Sequence, residues 1–157
     1  MITVKDHNQG SLFDPWSFLS PKRRLILDQT WPGLFQKEIL CELPVLELAS
    51  FFNEGFGRPT KELHTVLGTL VLQQMFDLTD EEAVDQLSYN IQWHYAFNIS
   101  EESDFAKYIS LKTLWSMRQI VAENNLDGVV FGRVSGKLAK VFGVNTDKQR
   151  IDSVHIQ

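Results

Sequence analysis

Between Leu63 and Met75 the apolar residues Leu63, Val66, Leu67, Leu70, Val71 and Met75 fall at the i, i+3, i+4, i+7 spacing that lines one face of a helix. This period, more than any other feature, commits the chain to a fold built on amphipathic helices. Thr60 is the expected N-cap, and the small side chains of Gly68 and Thr69 imply that a second helix packs closely. The next segment, "LTDEEAVDQL", sets Thr79 and Glu82 in a Thr-x-x-Glu capping box, with Asp80, Glu81 and Glu82 at the positive end of the helix dipole.

The same pattern extends in both directions. Upstream, Ser20 as N-cap and Pro21 at the first helical position open a helix carrying Leu25, Ile26 and Gln29, which Trp31-Pro32-Gly33 is expected to stop. A short helix is expected over residues 34–43, and Pro44 begins another through Val45, Leu48, Phe51 and Phe52, closed by the "NEGFGRP" loop. Downstream, Tyr89, Trp93 and Phe97 lie four apart. Such an aromatic stripe can stack a cofactor or bases, but at helical spacing it is expected to be core. His64 and His94 belong to no His/Cys cluster or His-x-x-x-His pair, so both are expected to be structural rather than metal ligands.

Composition fixes the class. A chain of 157 residues that is 43% hydrophobic can bury one domain's core without cross-links, and its single cysteine, Cys41, cannot form an internal disulfide. The N-terminus lacks a basic-then-apolar leader and the longest apolar stretch, around "VLGTLVL", is too short to span a bilayer. A cytoplasmic protein with no membrane partner is expected. The net charge of −5 conceals a polarised chain, for residues 1–106 hold 7 Lys/Arg against 16 Asp/Glu while residues 107–157 hold 8 against 4.

The basic third carries the candidate binding residues. In "SLKTLWSMRQIVAENN", Ser110 caps a helix expected to bury Leu111, Leu114 and Val121 with part of Trp115 or Met117. The remaining face holds Lys112, Thr113, Ser116, Arg118 and Gln119, side chains that reach phosphates and base edges from a helix in a major groove. A last helix over residues 126–142 buries Val130, Val134, Leu138, Val141 and Phe142 and leaves Arg133, Lys137 and Lys140 as a cationic ridge able to track phosphates. Double-stranded DNA is therefore the expected partner, through a helix-turn-helix-like part of an all-α, multi-helix bundle. The competing reading is a helical protein-interaction domain without DNA binding, in which these faces are merely solvated or meet an acidic partner.

At "GVNTDKQRIDSVHIQ" the character changes. Gly143, Asn145, Thr146 and Asp147 make a turn, and Ile151, Val154 and Ile156 favour extended chain. A lone strand needs partners that the helical part does not offer, so residues 1–145 are expected to form a helical domain and residues 146–157 to begin another.

Taken in order, "GRPTKELHTVLGTLVLQQMFDLTDEEAVDQLSYNIQWHYAF", "SLKTLWSMRQ" and "QRIDSVHI" resemble the InsH-type N-terminal domain of bacterial insertion-sequence transposases, running into the first strand of their catalytic domain. The resemblance implies a domain that binds the ends of the element, followed by an RNase H-like domain with an Asp-Asp-Glu triad. It sets Asp152 at the first of those carboxylates, which in the full-length family would bind Mg2+ for two-ion phosphodiester chemistry. The other two carboxylates have no counterpart in this sequence, so the chain as given is expected to have no cofactor and not to cleave or join DNA. It would be a piece of a longer transposase, a decayed element, or a retained short product that occupies element ends or caps a full-length partner. A homo-oligomer, or a complex with full-length transposase, is the protein assembly compatible with that reading.

Overall fold

The computed structural model describes residues 1–7, 14–52 and 59–145, and every regular element among them is helical. The all-α expectation therefore holds for the described residues. The extended segment expected over 146–157, Asp152 included, lies outside them. Among the described residues no helix is long and apolar enough to cross a membrane.

Helix α1 (Pro21–Gln29) begins as its sequence dictates, with the Ser20 hydroxyl accepting from the Arg23 amide and Pro21 in the first turn. It buries Leu27, whereas Leu25 and Ile26 are exposed. Trp31-Pro32-Gly33 does not simply stop the helix. It opens α2 (Trp31–Leu34), which runs on through a π-helical turn (Phe35–Ile39) and a 3-10 turn (Leu40–Glu42) before α3 (Val45–Ala49). Proline suits a first turn, and the bare Cα of Gly33 allows a tight approach, since a Cβ there would lie 2.5 Å from the Asp28 carbonyl oxygen.

Helix α4 (Leu63–Met75) is the centre of the molecule, packed by α3, α5 (Asp80–Tyr89) and α8 (Leu111–Glu123). Because neighbours lie on several sides, burial is not confined to the stripe read from the sequence. Leu63, Val66, Leu67 and Leu72 are fully buried together with Thr69 and Gln73, while Met75 is exposed. Gly68 is the contact point with the end of α6 (Ile91–Ala96), where a Cβ would sit 2.4 Å from the Phe97 ring. The N-cap is Glu62, whose carboxylate accepts from the His64 and Thr65 amides, and not Thr60. The Thr60 hydroxyl instead accepts from the Thr3 amide at 2.9 Å, because the N-terminal segment runs beside residues 60–63.

The capping box at the start of α5 forms on both sides, Thr79 with the Glu82 amide and Glu82 with the Thr79 amide. The aromatic stripe divides. Asn90 takes an extended conformation between α5 and α6, so Trp93 and Phe97 enter the core while Tyr89, at the end of α5, is 84% exposed. A smaller cluster of Trp16, Leu19, Leu27 and Tyr95 flanks the main core. The short α7 (Asp104–Lys107) precedes α8, and α9 (Leu126–Val141) packs on α8 through Val130, Val134 and Leu138, with Val141 and Phe142 exposed.

Candidate nucleic-acid interface

Helix α8 starts at Ser110, whose hydroxyl accepts from the Thr113 amide and lies 2.9 Å from the Thr113 hydroxyl. The helix turns Leu114, Met117 and Val121 into the core. Leu111 is not buried with them: it is exposed, as is Trp115 at 57%. The outer face therefore combines Lys112, Trp115 and Gln119, a cation, an indole and an amide at helical spacing. Ser116 sits beside them with its hydroxyl donating to the Lys112 carbonyl at 2.8 Å, and the Gln119 amide donates to Glu123 at 2.7 Å.

Arg118 turns the other way. Its guanidinium donates to Asp80 Oδ2 at 3.2 Å and to Gln73 Oε1 at 3.0 Å, and it forms an ion pair with Asp80. The Gln73 amide in turn donates to Asp80 Oδ1 at 2.7 Å and to the Leu78 carbonyl at 3.2 Å. The Arg118 hydrogen bond, followed by that of Gln73, holds the Asp80 carboxyl below its ordinary range. This closed network ties α8 to α4 and α5, and the guanidinium within it faces a carboxylate of its own chain. The Arg118 side chain nevertheless stays 38% exposed.

The cationic ridge of α9 meets a similar fate. Arg133 is ion-paired with Glu47, and Lys137 reaches Glu38 at 3.4 Å and Glu42 at 3.2 Å. Glu42 above all raises the Lys137 pKa, with Glu38 adding to it. Lys107 is likewise paired with Glu102. Among the described residues of the basic third, Lys112 and Lys140 are exposed and make no ion pair. Lys148 and Arg150 lie outside the described residues. Two cations of α9 are thus matched at the surface by acids of the segment between Phe35 and Ala49, which packs against it.

One group among the described residues has the donor set for a metal: His7, Glu62 and His64. Sequence spacing missed it, since His7 is remote in the chain and His64 alone carries no ligand motif. His94, in contrast, is buried with its Nε2 2.6 Å from the Leu87 carbonyl oxygen, a bond that joins α6 to α5. Its role is in packing.

A family model described as Transposase domain (DUF772) matches residues 37–120, more than half of the chain. The match spans the elements from the π-helical turn to most of α8, including Lys112, Trp115, Arg118 and Gln119. No curated protein and no solved structure matches the chain.

Proposed function

The chain belongs to the transposase-domain (DUF772) family, and from that premise we propose that it binds the double-stranded DNA of element ends during transposition, using the outer face of α8. The observation that carries this reading is the face itself. Lys112, Trp115 and Gln119 are exposed side by side on a well-capped helix whose opposite face is locked into the core. Lys112 would contact phosphate, Gln119 a base edge, and the Trp115 indole a sugar or base plane. Thr113 and Ser116 flank that contact, Lys140 adds a second phosphate contact, and Arg118 acts by holding α8 in place. Arg133 and Lys137 contribute less than their charge implies, since phosphate must compete with Glu47, Glu38 and Glu42 for them.

Fluorescence anisotropy with labelled duplexes across a salt series tests this. Affinity should fall steeply with salt, and Lys112→Ala and Lys140→Ala should each make the slope shallower by about one. Arg133→Ala should change it less. Gln119→Ala should alter preference among duplex sequences, whereas uniform weakening would move it to the phosphate-contact class. If no duplex binds at low salt, the reading fails. A second reading, docking of a protein partner, draws on an apolar groove of about 650 Å³ between α4, α8 and α9, lined by Leu70, Val71, Met75, Val130 and Phe131. A chain that ignores every duplex but binds a second copy or a longer transposase would favour it.

Asp152 enters this proposal through the resemblance alone, as the first carboxylate of a metal-dependent triad. In a longer chain carrying the RNase H-like part, Asp152→Ala should abolish Mg2+-dependent strand cleavage. In the 157-residue chain it should leave duplex affinity unchanged or slightly raised, because a negative charge is removed.

A further inference from the structure

Residues 1–5 run alongside the approach to α4. The Thr60 amide donates to the Met1 carbonyl at 3.1 Å, the Leu63 amide to the Thr3 carbonyl at 3.1 Å, and the Lys5 amide to Glu62 Oε1 at 3.2 Å. These bonds bring His7 onto the first turn of α4. Glu62 is fixed there by its capping role, with Oε2 accepting from the Thr65 amide at 2.7 Å and the Thr65 hydroxyl at 2.9 Å. Its other oxygen, Oε1, lies 3.0 Å from Nδ1 of His64 and 4.0 Å from Nε2 of His7. The two imidazoles meet edge to face with centroids 4.6 Å apart.

His7 is the telling residue. Its side chain is only 3% exposed, and among the described residues neither ring nitrogen has a hydrogen-bond partner. Buried polar groups are nearly always satisfied, so an imidazole with two idle nitrogens beside a carboxylate and a second imidazole asks for a missing partner. An apolar filler would leave the nitrogens as they are; a cation would use one of them.

We propose that His7, Glu62 and His64 bind one divalent cation of the zinc class, which fastens the N-terminal segment to the start of α4. Two imidazole nitrogens and one carboxylate oxygen make the nitrogen-rich donor set that such ions select over magnesium or calcium. One donor atom from each residue lies within 4.8 Å of the others. Ligand bonds of about 2 Å place donors roughly 3.3 Å apart around a tetrahedral ion. The Glu62–His64 pair is near that spacing already, and the His7 donor, 4.0 Å from Glu62, would have to move closer by roughly 0.7 Å. A cleft of about 760 Å³ lined by Asp6, Cys41, Glu47 and Arg133 adjoins the two histidines, and water from it would complete the shell. The three ligands are not among the residues of the proposed DNA face, although Arg133 lines the adjoining cleft.

The test uses the full chain, stripped with a chelator and titrated with Co2+ followed visibly, then with Zn2+ in competition. One Co2+ per chain with the intense visible bands of a four-coordinate ion, displaced by Zn2+, is expected, and Zn2+ should raise the thermal unfolding temperature. His7→Ala removes no side-chain hydrogen bond among the described residues and should still weaken Co2+ binding by at least about tenfold. His64→Gln should weaken it similarly, and His94→Gln should not. The proposal is overturned if Co2+ gives no such bands, or if His7→Ala, folded by circular dichroism, binds as tightly as the unaltered chain.

Discussion

Arg118 shows how one side chain can be engaged by its own fold while staying partly exposed. A guanidinium is planar and always charged, and here Asp80 and Gln73 satisfy its fork. Gln73 is almost wholly buried, so replacing Arg118 with Met should strand its amide oxygen and leave the Asp80 carboxylate with the Gln73 bond alone. We expect about 1–3 kcal/mol of lost stability by urea denaturation, with DNA sequence preference unchanged. A change in preference at constant stability would return Arg118 to the interface. His94 supplies a pH dependence. Burial holds its pKa below the ordinary value of 6.5, against the opposing effect of its bond to Leu87. The unfolded chain therefore takes up a proton more readily than the folded one. Its contribution is fully present above pH 6.5 and is lost as pH falls through the folded value. His94→Gln keeps a donor for the Leu87 carbonyl, and should flatten that part of a stability-versus-pH profile; a profile identical to that of the unaltered chain would refute the assignment.

At the scale of elements, local code and packing divide the work. Caps at α1, α5 and α8 are set within one turn of chain, which is why Ser20, Thr79 with Glu82, and Ser110 behave as the sequence implies. The start of α4 departs from that code because the N-terminal segment engages Thr60 and leaves Glu62 to cap. Packing of α4 against the end of α6 depends on Gly68. Gly68→Ala improves helix propensity yet drives a methyl into the Phe97 ring, so a net loss of about 1–3 kcal/mol is expected in a chemical denaturation experiment. A variant as stable as the parent would mean that the ring moves aside without cost. Helix α8 is two-faced for the same reason. Its inner residues are fixed by α4 and α5, which leaves Lys112, Trp115 and Gln119 exposed on the outer face.

For the molecule as a whole, the decisive feature is that the acidic and basic parts of the chain fold onto each other. Each exposed pair adds little stability, but together they mask cations that would otherwise attract phosphate. Glu38→Gln combined with Glu42→Gln should release Lys137, tighten duplex binding at low salt and steepen the salt slope by about one; no change would show that α9 faces away from DNA. The helical class, the order of most helices and three of their caps were legible in the sequence, as was the capacity of α8 to present polar residues. These depend on periods and hydrogen bonds that span a turn or less, so neighbouring residues suffice to define them. Tertiary structure alone decided that Tyr89 and Leu111 face outward, that Arg118, Arg133 and Lys137 meet carboxylates, and that His7 joins Glu62 and His64. Burial and charge pairing are set by segments tens of residues apart, and a linear pattern carries no record of which of them come together.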